Sequence, residues 1–181
     1  MHAFKTELCS EFLTHWQSFR VDNALPTLKD YLGKPHPSLQ PHTVIKDVIE
    51  PRYLKVRLHG TRLVELSGID LTGQNLLQYA GTPSFAERYW MFHRKAVDRP
   101  VGVSGTKHTV AASGRPVVME DISLPVVPFP GGPPCIVGCV SPVEGLDYKD
   151  TVFKLLEYTS TSWIDIGWGV PAAERGLRAI A

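Results

Sequence analysis

Apolar residues recur along this chain with two different periods, and the change from one to the other divides it. Phe4, Leu8, Phe12, Trp16 and Phe19 return every three or four positions, with Lys5, Glu7, Glu11 and Gln17 between them. That spacing predicts an amphipathic helix over residues 4–20. Pro26, then Leu28, Tyr31 and Leu32, with Gly33 at the end, predict a second short helix. Pro35, Pro37 and Pro41 make residues 34–42 a connector, because proline lacks the donor a central strand requires. From residue 43 the period becomes two. Thr43–Ile49 is β-branched, Glu50-Pro51-Arg52 is a break, and Leu54, Val56 and Leu58 alternate with Lys55, Arg57 and His59, which predicts an antiparallel hairpin.

Helical spacing then returns. Leu63, Val64 and Leu66 precede a stop at Gly68, Asp70–Gly73 reads as a turn, and Asn75–Tyr79 continues as a short helical piece. A longer helix is predicted over 84–98, entered through Thr82-Pro83 with a Ser84-x-x-Glu87 box, and carrying Phe85, Tyr89, Phe92 and Ala96 on one face. Three strand-like runs follow: 101–112, 115–126 after the Ser113-Gly114 turn, and 135–143 after the loop Pro128–Pro134. Two strands, a helical middle and three strands make an α+β fold, a five-stranded antiparallel sheet with helices on one face. The expected organisation is an N-terminal helical extension and linker (1–42), a core domain (43–143) and a C-terminal extension (144–181). In that extension residues 150–158 have helical spacing, and 160–168 mix β-formers with glycine.

Arg57-Leu58-His59-Gly60-Thr61-x-Leu63, followed by Gly68-x-Asp70-Leu71-Thr72-Gly73, resembles a motif of bacterial single-domain PAS-like proteins. Asp165-x-Gly167-x-Gly169 is similar to the ending seen in the same group. The resemblance covers about residues 43–143 and implies a scaffold in which the sheet and its helices enclose a small-molecule cavity. PAS is a host for many sensors, so it implies a sensory, ligand-binding or protein-interaction module of bacterial signal transduction rather than one ligand.

Composition removes several alternatives. Nineteen basic and eighteen acidic residues give a net charge of +1 without a block of either sign, so no nucleic acid is expected as partner. No run is long and apolar enough for a membrane span and the start lacks a signal-peptide pattern, which gives the expectation of a cytoplasmic protein. Cys9, Cys135 and Cys139 read as small buried apolar thiols. Cys135 and Cys139 lie about 13 Å apart at strand rise, too far to bridge each other or share one metal, and His36 and His42 have no partner at zinc spacing. Gly102-Val103-Ser104-Gly105 falls short of a nucleophile elbow. Glu120 and Asp121 point to opposite faces of a strand and read as a solvated edge.

The candidate ligand-binding residues are Tyr79, Tyr89, Trp90, Phe92 and His93, on the aromatic helix and the turn before it, with no metal. Flavin-binding PAS domains carry a cysteine in their Gly-x-Asn-Cys sequence; Gly73-Gln74-Asn75-Leu76 has Leu76 there, which excludes that adduct chemistry. Haem-binding PAS sensors use a histidine on the long helix, and His93 matches only in type and rough position. The expectation is a non-catalytic module that takes a small-molecule ligand and forms a homodimer through the N-terminal helix, a helix that could equally pack on its own domain. The alternative is a small-molecule enzyme with His93 or His108 as acid or base. Neither histidine has a recognisable nucleophile or orienting carboxylate in the sequence.

Overall fold

The computed structural model describes residues 4–111, 113–144 and 158–170. In chain order they form helices α1 (Glu7–Gln17) and α2 (Leu28–Gly33), strands β1 (Thr43–Ile49) and β2 (Tyr53–His59), and helix α3 (Thr61–Ser67). Helix α4 (Pro83–Asp98) and strands β3 (Gly102–Val110), β4 (Pro116–Val126), β5 (Cys135–Pro142) and β6 (Tyr158–Ile164) follow, with short 3₁₀ turns at Gln40–His42 and Leu76–Tyr79. The strands make one sheet in the order β2-β1-β5-β4-β3-β6, and every neighbouring pair is antiparallel.

The sheet therefore has a sixth strand beyond the five expected. Residues 158–164, part of the expected C-terminal extension, pair with β3 from Gly102↔Ile164 to Lys107↔Tyr158. The helix expected at 150–158 lies, but for Tyr158, outside the described residues. Helices also cover both faces rather than one, and the reason is in the central strands. On β5, Ile136 packs with α3 and α4 while Cys135, Val137 and Cys139 pack with α1 and α2. A strand apolar on both sides needs two covers.

On the outer face, the stripe of α1 is buried against its own sheet: Cys9, Phe12 and Trp16 are fully buried among Ile122, Leu124, Val137 and Cys139. Trp16 Nε1 donates to the carbonyl of Pro125, 3.2 Å away. The start of α1 is held by Glu120, whose carboxylate accepts from the backbone N–H groups of Lys5 (2.8 Å) and Thr6 (2.7 Å) and from the Thr6 hydroxyl (2.8 Å). An acidic group at the positive end of a helix, satisfying free N–H groups, is a favourable place to bury a charge. So Glu120 is no solvated edge, although it does point away from its neighbour Asp121. All three cysteines are buried and free, as their reading as small apolar side chains requires.

Two glycines shape the motif region for different reasons. Gly73 has φ +84°, where a Cβ is strained. Gly60 has ordinary backbone angles, but a Cβ there would lie 2.4 Å from the carbonyl oxygen of Pro41. Asn75 caps the next turn by accepting from Leu77 N–H (3.2 Å) and also takes Leu54 N–H (3.2 Å), fastening the turn to β2.

Candidate functional site

The inner face, beneath α4, is where charge collects. Pro83 opens α4 at its first turn and the Thr82 hydroxyl caps it by accepting from Phe85 N–H at 3.2 Å, so the cap is Thr82 rather than the Ser84–Glu87 box. From there the helical period presents Phe85, Tyr89, Phe92, His93 and Ala96 to the sheet, all buried.

Opposite them stand two lysines and an aspartate. On β1, Val44, Lys46 and Val48 share the inner face, and Lys46 is only 1% exposed. Its Nζ lies 2.6 Å from His93 Nε2, 3.0 Å from Ser123 Oγ and 3.5 Å from Tyr89 Oη. His93, 1% exposed, donates its Nδ1–H to the carbonyl of Tyr89 at 2.7 Å. That bond fixes the tautomer and leaves the Nε2 lone pair to accept from Lys46. On β3 and β4, Lys107 Nζ lies 2.7 Å from Asp121 Oδ2, which also accepts from Tyr158 Oη at 2.8 Å. The Tyr89 and Tyr158 rings stack with centroids 5.8 Å apart, and both lysine ammonium positions lie 5.5 Å from the centre of the Tyr89 ring.

The two lysines differ in what holds them. Lys107 faces a carboxylate, whereas Lys46 has only uncharged groups within hydrogen-bond reach. Burial therefore drives the Lys46 amine down to about 7, with Asp121 opposing the shift and Lys107 adding to it. Burial and Lys46 together hold His93 well below the usual imidazole range. Burial, then the charge of Asp121, pushes the Tyr89 and Tyr158 phenols up.

One acceptor is left over. Asp121 is 3% exposed, and its Oδ1 is buried without a hydrogen-bond partner. A buried carboxylate oxygen in that state costs free energy until something donates to it. Thr161 Oγ1 and Trp163 Nε1, on the neighbouring β6, are also buried without partners. In register, Asp121 pairs with Gly105 and Gly105 with Thr161, so the three strands bring them to one rung of the sheet.

Of the five candidate residues, Tyr89 and His93 stand at the centre of this cluster. Phe92 packs edge-on against Tyr158 (5.9 Å) and Trp163 (5.6 Å), Trp90 is buried in the same core, and Tyr79 is half-buried at its margin. His108 is exposed, one residue out of phase with the inward Lys107. Tyr89 and His93, expected from the sequence, lie in this cluster, whereas its sheet side, Lys46, Lys107, Asp121, Ser123 and Tyr158, was not among the expected residues. The signal for Lys46 was present, since a lysine flanked by Val44-Ile45 and Val48-Ile49 interrupts a strand that is apolar on both faces. Asp121 was read as solvated, but β4 lies inside the sheet and is covered on both sides. Among the described residues no group of three or more metal-ligating side chains occurs, and no helix is long and apolar enough to cross a membrane.

Comparison with known proteins agrees with this architecture. A family model described as PAS domain matches residues 4–141. The chain belongs to the PAS domain family, and α1 lies within the match, so the family's span begins well before residue 43. Among solved structures, the chain is similar to the light-state structure of the blue-light photoreceptor Aureochrome1 LOV, at 18% identity over 59% of this chain and 84% of that one (TM-score 0.43). It is similar to a fungal LOV domain photoreceptor at 18% identity over 74% and 90% (TM-score 0.46). It is also similar to VqmA bound to DPO, at 14% identity over 57% and 52% (TM-score 0.43). A search of curated proteins finds no match.

Proposed function

We propose that this chain is a non-catalytic, ligand-binding sensory module of cytoplasmic bacterial signal transduction, whose small-molecule site lies on the inner face of the sheet beneath α4. Asp121 carries the reading: a carboxylate that is 3% exposed keeps one oxygen without a donor. Its other oxygen is fully engaged by Lys107 and Tyr158. A ligand that donates a hydrogen bond to Oδ1 removes the desolvation cost of that oxygen, and Tyr89, His93 and Lys46 supply further polar contacts. Phe92, Trp90 and Tyr79 form the apolar wall, in the usual arrangement of a few polar groups within an apolar site. A homodimer through α1 would have to use the outward side of that helix, because Cys9, Phe12 and Trp16 are already buried against the chain's own sheet.

The test is a thermal-shift screen of small hydroxylated compounds on wild type, Asp121→Asn and Tyr89→Phe. A ligand of this site stabilises wild type in a concentration-dependent manner and loses most of that effect in Asp121→Asn. Compounds that raise the melting temperature of all three proteins equally would place the ligand elsewhere.

A further inference from the structure

Lys46 is buried without a counter-charge within hydrogen-bond reach, and this sets it apart from the other buried lysine. Lys107 sits against the Asp121 carboxylate at 2.7 Å. Around Lys46 Nζ the partners are an imidazole nitrogen, a serine hydroxyl and a phenol. As a neutral amine, Lys46 donates one N–H to His93 Nε2 and the other to Ser123 Oγ, which leaves its lone pair uncommitted. A desolvated lysine beside a second cation is how enzymes and carriers make an amine nucleophilic at neutral pH.

We infer that Lys46 captures its ligand covalently and reversibly as a Schiff base, and that the ligand is an uncharged hydroxy-aldehyde or hydroxy-ketone. This rests on the inner-face site just proposed. The hydroxyl requirement comes from Asp121 Oδ1, an unpartnered acceptor whose companion oxygen binds Lys107, the lysine that lies with Lys46 at 5.5 Å from the centre of the Tyr89 ring. A ligand hydroxyl donates there. A ligand carboxylate would bring a third oxygen acceptor with no proton to give.

The chemistry balances without an oxidant or reductant. The Lys46 lone pair forms a bond to the carbonyl carbon while the carbonyl π pair moves onto oxygen. His93 Nε2, 2.6 Å from the amine, takes a proton from the new ammonium centre and returns it to that oxygen, giving a carbinolamine. The carbon–oxygen bond then breaks and a carbon–nitrogen double bond forms. Both amine protons leave with the oxygen as one water molecule. Neutral His93, with its Nδ1–H fixed on the Tyr89 carbonyl, is in the right form to relay the proton. Lys46 is 1% exposed beneath α4, which shields the imine from water.

The experiment uses the full chain with hydroxyacetone and glycolaldehyde in the presence of cyanoborohydride at mildly alkaline pH, read by intact mass and peptide mapping. The expected result is a reduced adduct on Lys46 that forms about tenfold or more faster than on exposed lysines such as Lys55. That preference disappears in urea, where every lysine is equally solvated. Lys46→Met abolishes the site-specific adduct; should that variant not fold, the wild-type peptide map and the urea comparison decide the matter alone. Labelling spread over the lysines according to their exposure overturns the inference. Pyruvate trapping at Lys46 as readily as hydroxyacetone overturns the uncharged class. A hydroxy-ketone that raises the melting temperature but is never trapped removes covalent capture while leaving the binding site standing. Neither stabilisation nor trapping by any of the compounds removes both.

Discussion

The two faces of the sheet bury comparable numbers of strand residues for opposite ends. On the outer face, α1 and α2 meet β4 and β5 through Phe12, Trp16, Leu28, Ile122, Leu124 and Val137, and the deeply buried carboxylates there have partners: Glu120 is satisfied by the backbone at the start of α1 and Asp47 accepts from Arg57. On the inner face, α4 meets the sheet through rings and through Lys46, Lys107, Asp121 and His93, with one carboxylate oxygen left unpaired. The contrast is sharpest within β4, where Glu120 and Asp121 are consecutive. One carboxylate has its hydrogen bonds complete within the fold; the other keeps one oxygen without a donor. Burial of a charge alone says little, and the state of its hydrogen bonds says what it is for.

Three measurements press on this comparison. The largest effect belongs to the outer face: Trp16→Ala removes a fully buried ring and its hydrogen bond to Pro125, and should cost about 3–5 kcal/mol in urea unfolding while leaving ligand stabilisation of the remaining folded protein intact. A loss below 1 kcal/mol would mean that α1 is an appendage rather than half of the core.

The inner face should reveal itself through pH. The Lys46 amine titrates near 7 in the folded chain against an ordinary 10.5, so between those values the unfolded chain binds a proton that the folded one does not. Stability contributed by this group is fully present above 10.5, falls as pH drops toward 7, and is constant below. Wild type should therefore gain about 1.4 kcal/mol per pH unit relative to Lys46→Met across pH 7.5–9. Lys107, Asp121, His93, Tyr89 and Tyr158 surround the same point, which is why the difference between the two proteins is the quantity to read. Parallel pH profiles would show Lys46 to be an ordinary ammonium. The smallest effect lies outside both faces, at the motif turn. Gly73→Val should lower stability by about 1 kcal/mol through its positive φ alone, since nothing lies within 4 Å of the added Cβ. A melting temperature equal to wild type would falsify that account.

Most of the elements were legible because their causes are local. The stripe from Phe4 to Phe19 gives α1, Thr82-Pro83 gives the start of α4, and the alternation at Leu54, Val56 and Leu58 gives β2. Strand β6 was not legible as a strand of the core. Its sequence, Tyr158-Thr-Ser-Thr-Ser-Trp-Ile164, is short of apolar residues because an edge strand leaves part of its surface uncovered. The helix half of the inner-face cluster was readable for the same local reason: Tyr89, Phe92 and His93 share a helical face. The sheet half depends on which strands lie inside the sheet and which at its edge. Asp121 is two strands from Lys46 in the sheet, with β5 between them, and 75 positions from it in the chain, and no local pattern joins them. The N-terminal helix shows the same limit. Its stripe announced that it must be covered, and only the assembled sheet decided by what.

The carboxylates of Glu120 and Asp121 hang from adjacent residues on opposite sides of one strand, so β4 acts between them as a short strut. A displacement of the strand that carries Asp121 toward α4 would carry Glu120 the same way, away from the backbone N–H groups of Lys5 and Thr6 that it grips. The inner site and the first turn of the N-terminal helix are thus joined by a single peptide unit, and amide exchange at Lys5 and Thr6 is the place where an event at the site would be felt on the far side of the sheet.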